Sequence, residues 1–174
     1  MRRLLIGSLL PVLLCILPFL AAGLVLLCIP PSALKYFADQ IDLAERRGMM
    51  EVLIIGGGVM LFLTQMVLAF SSLRWRGTGF NEASDRWLMN LAQSAEWFPM
   101  LGLIGTVVGI LEAFASVKAG STIQPRLIAP AITATGAGLF MALVNMLPSW
   151  IVLLGRDLIL MLSGTTPQPR EEES

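Results

Sequence analysis

Two threonines and one glutamate lie inside apolar stretches of this chain, where few other side chains can do chemistry. Thr106 is near the middle of residues 99–114, Thr135 lies in the next apolar stretch, and Glu112 is the only acid well inside one. A hydroxyl both donates and accepts hydrogen bonds, so it can order water and stabilise a carboxyl in either protonation state. An acid within a membrane is a candidate functional group. These residue types suit either packing between helices or the lining of a channel within a membrane.

The composition predicts a polytopic membrane protein. The 174 residues are 56% hydrophobic and 14% charged, whereas a soluble domain carries about 25% charged residues. The formal net charge is zero and there is no basic patch, so nucleic acid is not an expected partner. Without histidine there is no histidine-based metal site or triad, and Cys15 and Cys28 are too few to hold a metal and are expected to pack. We predict neither an enzyme nor a cofactor.

The apolar stretches predict an all-α fold with four transmembrane helices and a short amphipathic helix before the third. About 20 apolar residues are enough to cross about 30 Å of hydrocarbon. The expected spans cover about residues 4–29, 52–73, 98–117 and 127–154. One transmembrane domain is therefore expected over residues 1–162. Residues 163–174 are polar and are expected to form a disordered cytoplasmic tail.

The first apolar stretch has the charge order of a signal peptide, since Arg2 and Arg3 precede it. It is longer than a signal peptide's apolar core of about 7–15 residues, so we favour a transmembrane helix and keep a signal peptide as the alternative. Pro11 and Pro18 are expected to kink or loosen this helix. Residues 32–50 are charged, and we favour a solvated connector there over a short surface helix.

The basic residues near the ends of the spans predict the orientation, because Lys and Arg are enriched on the cytoplasmic side. With the N-terminus inside, seven basic residues fall inside: Arg2, Arg3, Arg74, Arg76, Arg86, Arg156 and Arg170. Five fall outside: Lys35, Arg46, Arg47, Lys118 and Arg126. This difference favours cytoplasmic N- and C-termini.

Two further segments have expected orientations. Gln65 lies within the second span and is expected to face another helix, because a polar group exposed to lipid is unfavourable. Residues 81–98 predict an amphipathic helix with Asn81 as its N-cap. Its apolar face is expected to hold Leu88, Leu91, Ala95 and Phe98.

Both of the last two spans carry a stripe of small residues at helical spacing. In the third span the stripe is Gly102, Gly105, Gly109, Ala113 and Ser116. In the fourth it is Ala131, Thr135, Gly138, Ala142, Asn145 and Ser149. Small residues let helices approach closely in lipid. The two stripes can pack on each other or both line a channel, and periodicity alone favours packing.

Residues 101–114, L-G-L-I-G-T-V-V-G-I-L-E-A-F, closely resemble the signature of the MotA/TolQ/ExbB proton-channel family. That signature is a proline followed by G-L-x-G-T-V-x-G-I-x-x-A-F. The fourth span resembles a second family motif through Ala129-Pro130, Ala134-Thr135, Gly138-Leu139 and Ala142. The resemblance covers about residues 81–150, and the first two spans are similar only in being hydrophobic.

The resemblance implies a homo-oligomeric ring, a pentamer in relatives, in the bacterial inner membrane. It also implies a single-span partner of the MotB/TolR/ExbD type, whose membrane aspartate carries protons and energises an envelope process. Thr106 and Thr135 correspond to hydroxyl positions that face this aspartate. The small-residue stripes give Gly102, Gly105, Gly109, Gly138 and Ala142 a packing role, and Asn145 is a candidate polar residue of the pore.

The chain departs from the family pattern at two positions and in length. A glutamate usual in TolQ/ExbB-like members is replaced by Pro130, and a later proline is replaced by Val144 beside Asn145. Glu112 is a candidate to take over a proton-relay role, with an interfacial anchor near Lys118 as the alternative. Only about 25 residues separate the second and third spans, so the large domain of flagellar stators is missing and a compact TolQ/ExbB-like member is expected.

Two other functions remain open from the sequence. A small proton-coupled transporter would work as a dimer with Glu112 as its coupling carboxylate. A structural membrane scaffold would use the glycines and threonines for packing only.

Overall fold

The computed structural model describes residues 9–40, 49–74, 80–116 and 125–163. Within these ranges the chain is helical and has no strand, which confirms the all-α class. The helices are α1 (Leu10–Cys28), α2 (Pro31–Gln40), α3 (Met49–Leu73), α4 (Glu82–Gln93), α5 (Trp97–Ser116) and α6 (Pro125–Ser163), with a 3₁₀ turn at Ser94–Glu96 before α5. Four described segments are long and apolar enough to cross a membrane: Leu10–Cys28, Met49–Leu73, Glu82–Ala115 and Ala131–Leu162. This confirms the polytopic class.

The N-terminal part differs from expectation in one segment. The connector favoured over residues 32–50 is wrong at residues 32–40, which belong to α2, and at residues 49–50, which begin α3. Residues 41–48 lie outside the described ranges. Pro31 begins α2. Proline suits this position because the first N–H groups of a helix have no intrahelical acceptor, so the N–H that proline lacks is not needed. Pro18 lies within α1, and the helix continues past it to Cys28.

The last helix is much longer than the predicted fourth span. At 39 residues, α6 is about 58 Å long, well beyond the about 30 Å of a hydrocarbon core. It passes through Pro148, whose side chain is buried, and ends only at Ser163. Ser163, the first residue of the tail expected to be disordered, is therefore helical. Residues 164–174 lie outside the described ranges.

Helix α6 is the centre of the bundle. It runs antiparallel to α5, since Gly102 lies against Thr135 and Gly109 against Ala131. It runs parallel to α3, since Gly58 lies near Met141 and Leu73 near Gly155. α1 joins the bundle through Leu14, which lies near Gly155, and through an edge-to-face contact of Phe19 with Phe62 at 5.2 Å.

Helix α4 begins where the sequence predicts, but it ends at Gln93 and not at residue 98, and Leu91 of the predicted apolar face is only half-buried. The Asn81 side chain accepts a hydrogen bond from the backbone N–H of Ser84 and caps the helix. Leu88, Ala95 and Phe98 are buried, and Leu88 belongs to a cluster with Leu73 and Val152. This packing holds the middle of α4 against the end of α3 and the C-terminal half of α6.

Arg156 of α6 ties α4 to the bundle through two carboxylates. Its guanidinium donates to Asp85 Oδ2 at 2.6 Å and to Glu82 Oε1 at 2.7 Å, and it lies over the Phe80 ring at 4.6 Å. Asp85 is mostly buried, whereas the Glu82 side chain is 72% exposed. From the sequence, Arg156 is predicted only to be a basic residue on the cytoplasmic side.

The different exposure of the two carboxylates predicts different effects of neutralising them. Asp85→Asn is expected to lower the free energy of unfolding by about 1–3 kcal/mol, because a charge-assisted bond in a sheltered site is lost. Glu82→Gln is expected to change it by less than about 1 kcal/mol, because water screens an exposed pair. Thermal unfolding of both variants in detergent measures the difference. Equal losses in the two variants would contradict this assignment.

Candidate functional site

Helices α5 and α6 touch backbone to backbone around the two threonines. A Cβ atom on Gly102 would lie 2.9 Å from the Ala134 carbonyl oxygen and 3.0 Å from Thr135 Cα. A Cβ on Gly109 would lie 2.9 Å from Ala131 Cβ. Gly138 of α6 packs equally tightly against α5, because a Cβ atom added to it would clash with the backbone carbonyl of Phe98. The glycines therefore bring Thr106 and Thr135 next to each other.

The two threonine hydroxyls share one small hydrogen-bond network. Thr106 Oγ1 lies 3.0 Å from the Gly102 carbonyl oxygen and 2.9 Å from that of Ala131, and Thr135 Oγ1 lies 3.2 Å from the Gly102 carbonyl oxygen. The hydroxyls also contact each other. Each hydroxyl has a single proton to donate, so several donor arrangements share the same positions of the heavy atoms. Such a pair can switch between donating to and accepting from a third group.

The threonine pair lies at the edge of the α5–α6 contact, and both side chains are only half-buried. Exposed apolar residues flank it on the same helical faces. We call this surface the open face, which consists of Leu103, Thr106 and Ile110 of α5 with Ile132, Thr135 and Leu139 of α6. Leu103 is 63% and Leu139 57% exposed in the single chain. The open face is therefore an apolar surface with two hydroxyls at its centre.

Helix α3 covers the opposite side of the α5–α6 pair. Met50 lies next to Gly105, and a Cβ on Gly58 would meet Met141 Sδ at 2.5 Å. Gly105 and Met141 are each about 100–120° around their helices from the nearest threonine. Ala142 is buried in the same cluster as Met141 and Ile54 of α3. The open face thus remains free of α3.

The other predicted site residues lie away from the open face. Glu112 is exposed and lies about 120° around α5 from Thr106. Asn145 is fully buried and faces α3, where its Nδ2 donates to the carbonyl oxygens of Gly58 at 3.1 Å and Met141 at 2.8 Å. Its position inside the α3–α6 interface differs from the pore position predicted for it, because its amide finds a backbone partner on α3.

Among the described residues, the most deeply buried acid is one that the sequence did not predict as a site residue. Glu51, in the first turn of α3, is 3% exposed, and its Oε1 accepts a hydrogen bond from Thr133 Oγ1 of α6 at 2.8 Å. The predicted second span began at Val52, one residue too late to include it. A signal was present, because Glu51, Gly58, Gln65 and Ser72 are spaced seven residues apart and share a face.

Gln65 and the two cysteines are further polar or reactive side chains within the spans. Gln65 is fully buried, which confirms that it faces the bundle. Cys15 is half-buried and Cys28 exposed, and both thiols are free. Among the described residues no group of three His, Cys, Asp or Glu side chains is arranged to hold a metal ion.

Comparison with known proteins gives one match. A family model described as the MotA/TolQ/ExbB proton channel family matches residues 69–156. The match includes α4, α5 and most of α6, with both threonines. No curated protein and no solved structure matches the chain.

Proposed function

This chain belongs to the MotA/TolQ/ExbB proton channel family, and from that premise we propose that copies of it form the ring of a proton-driven membrane motor. Membership makes it a multi-pass membrane protein with a proton-channel role and not an enzyme. In the proposed ring, α5 and α6 of each copy surround a single-span partner of the MotB/TolR/ExbD type. The partner's aspartate carries the proton, and Thr106 and Thr135 face it.

The open face is the observation that supports this proposal most directly. It holds both threonine hydroxyls among exposed apolar side chains, on the side of the α5–α6 pair that α3 leaves free. An apolar helix from a partner would pack against such a surface, since helices in lipid associate through close van der Waals contact. A carboxyl on that helix would meet the two hydroxyls at the centre of the contact.

The hydroxyl pair suits a carboxyl that gains and loses a proton. Toward a carboxylate both hydroxyls can donate, and toward a protonated carboxyl one of them can accept. Thr106 and Thr135 carry no charge, so neither protonation state of the partner is trapped by a fixed ion pair. Each proton that moves down the membrane potential releases about 2.3 kcal/mol per 100 mV, which is available to move the ring against the partner.

The cellular setting follows from the family and from the distribution of charge. We propose five copies in the bacterial inner membrane, with both termini in the cytoplasm, one transmembrane domain and a polar tail. The short α4 segment between α3 and α5 packs back onto the bundle through Leu88 and Asp85. A compact segment of this kind fits a TolQ/ExbB-like member that energises an envelope process.

The transporter and scaffold alternatives have less support. Coupling through Glu112 would require this acid to share a site with other polar groups of the spans, and it lies about 120° from the threonines. A scaffold would need no hydroxyls on an exposed surface, and both threonines are only half-buried there.

Purification with and without the single-span partner tests the proposal. The expected result is a complex of several copies whose mass in detergent rises when the partner is co-expressed. The complex in liposomes should conduct protons, and replacement of the partner's membrane aspartate by asparagine should abolish conduction. Proton conduction by this chain alone, or conduction that survives the aspartate change, would contradict the proposal.

A further inference from the structure

A row of polar or small residues runs along one face of α3 and is buried over its whole length. The row consists of Glu51, Gly58, Gln65 and Ser72, seven residues apart. Seven residues are nearly two helical turns, so successive members drift by only about 20°. Glu51 is 3% exposed, and Gln65 and Ser72 are fully buried. We call these four residues the polar row.

The polar row makes hydrogen bonds at three levels. At the Glu51 end of the row, the Thr133 hydroxyl of α6 donates to the Glu51 carboxylate. In the middle the Asn145 amide of α6 donates to the Gly58 carbonyl oxygen. At its last end Ser72 Oγ donates to Asp85 Oδ1 at 3.4 Å, and Arg156 holds the other oxygen of that carboxylate. The row therefore follows the α3–α6 interface and ends at the ion pair of α4.

Two side chains of this interface have polar atoms that no described residue satisfies. They are Gln65, at both Nε2 and Oε1, and Asn145, at Oδ1. Each is fully buried within one chain, so a neighbouring subunit cannot reach them. Buried amides that lack protein partners typically hydrogen-bond to internal water, which needs two to four polar groups around it. The two amides therefore mark a hydration site inside the subunit.

We propose that the polar row is the part of the proton path that lies within each subunit, and that Glu51 is its proton-binding acid. This inference rests on the proposed channel function. The row runs about 31 Å from Ser72, beside the ion pair of α4, to Glu51 at the depth of the threonine pair, so it does not cross the membrane without the partner. Water held at Gln65 and Asn145 connects its two ends.

The proposed step is the exchange of one proton between Glu51 and water. Its carboxylate accepts one proton from water and becomes a neutral carboxyl, and the reverse step returns the proton to water. The Thr133 hydroxyl faces it from α6, and α5 reaches this end of α3 at Gly105 beside Met50. None of these groups is titratable. On α5, Glu112 lies seven residues beyond Gly105, within about 20° of the same helical face and about 10 Å along the helix. Asp85 of α4 and Arg156 of α6 are charged groups at the far end of the polar row.

The position of Glu51 relates the path to the open face. Thr133 and Thr135 are two residues apart, so they differ by about 3 Å in depth along α6. Glu51 therefore lies at nearly the same depth as the threonine pair, on the other side of α6. A proton bound at Glu51 changes the charge next to the helix that carries Thr135.

An infrared pH titration of the purified chain in liposomes tests the acid without the partner. Wild type should show a carboxyl band that appears as the pH falls and shifts in D₂O. Glu51→Gln should lose this band, and Glu112→Gln should keep it. Thr133→Val, which removes the hydrogen bond but keeps the acid, should shift its frequency. An unchanged spectrum in both Glu51→Gln and Thr133→Val would overturn the proposal.

Proton conduction by the complex with its partner tests the path. Gln65→Leu keeps the size of the side chain and removes its polar atoms, and it should slow conduction about tenfold or more while the complex still assembles. Val67→Leu, at an exposed position of the same helix, is the matched control and should conduct as wild type. Normal conduction by Gln65→Leu would overturn the path and leave the proposed function intact. If the wild-type complex did not conduct at all, the proposed function would fail first.

Discussion

Replacing Thr106 and Thr135 together by valine is expected to abolish partner-dependent proton conduction while the complex still assembles. Valine has nearly the shape of threonine but no hydroxyl, and the Gly102 and Ala131 carbonyls that the hydroxyls contact belong to helical backbone. The partner's acid would then face an apolar surface. An unsatisfied polar group of this kind costs about 1–3 kcal/mol, which corresponds to about 5–150-fold in rate for each hydroxyl. Proton flux into liposomes that contain the complex measures the effect.

Serine replacements provide the matched control. Thr106→Ser with Thr135→Ser keeps both hydroxyls and removes only two methyl groups, so conduction should remain within a few-fold of wild type. Full activity of the valine double variant would show that the hydroxyls only pack. Loss of activity in the serine double variant as well would point to shape, and not hydrogen bonding, as the property that matters.

The second large effect is expected at Gly138, where a single methyl group disrupts the bundle. A Cβ on Gly138 would lie 3.1 Å from Gly102 Cα and would also meet the Phe98 carbonyl. The backbones of α5 and α6 must move apart to admit this Cβ atom. Gly138→Ala should therefore lower the free energy of unfolding by about 1–3 kcal/mol. It should also separate Thr106 from Thr135 and reduce conduction.

Gly136→Ala is the control for this prediction. Gly136 lies on the same helix two residues away, and nothing lies within 4 Å of the Cβ it would gain. Its replacement should leave thermal unfolding in detergent unchanged or raise the midpoint, because alanine favours helix more than glycine does. A similar loss of stability in both variants would mean that helix flexibility, and not close packing, explains the glycines.

Much of the membrane architecture could be predicted from the sequence because it depends on local properties. Apolar stretches of sufficient length predicted the four spans, and a cap at Asn81 predicted the start of α4. The burial of Gln65 followed from the unfavourable exposure of an amide to lipid. The recurrence of Gly102, Gly105 and Gly109 indicated a close helix contact, and their nearest neighbours do lie on α6.

What could not be predicted depends on which helix each face meets. Asn145 belongs to the same stripe as Thr135 in the sequence, yet its amide binds a carbonyl of α3. Glu51 follows the charged residues 45–47 after only Gly48, Met49 and Met50, too short an apolar stretch to mark it as buried. Its hydrogen-bond partner Thr133 lies 82 residues away in the sequence. The ion pairs of Arg156 join residues 71 and 74 positions apart. Periodicity within one helix cannot reveal such pairs.

A cryo-electron microscopy structure of the chain with its partner in lipid nanodiscs tests the central claim most directly. The expected result is a closed ring in which the open face of every copy points to the central axis. The partner's acid should lie within hydrogen-bond distance of the Thr106 and Thr135 hydroxyls of one or more copies. A structure with these threonines against lipid, or with a single copy and no central opening, would contradict the claim.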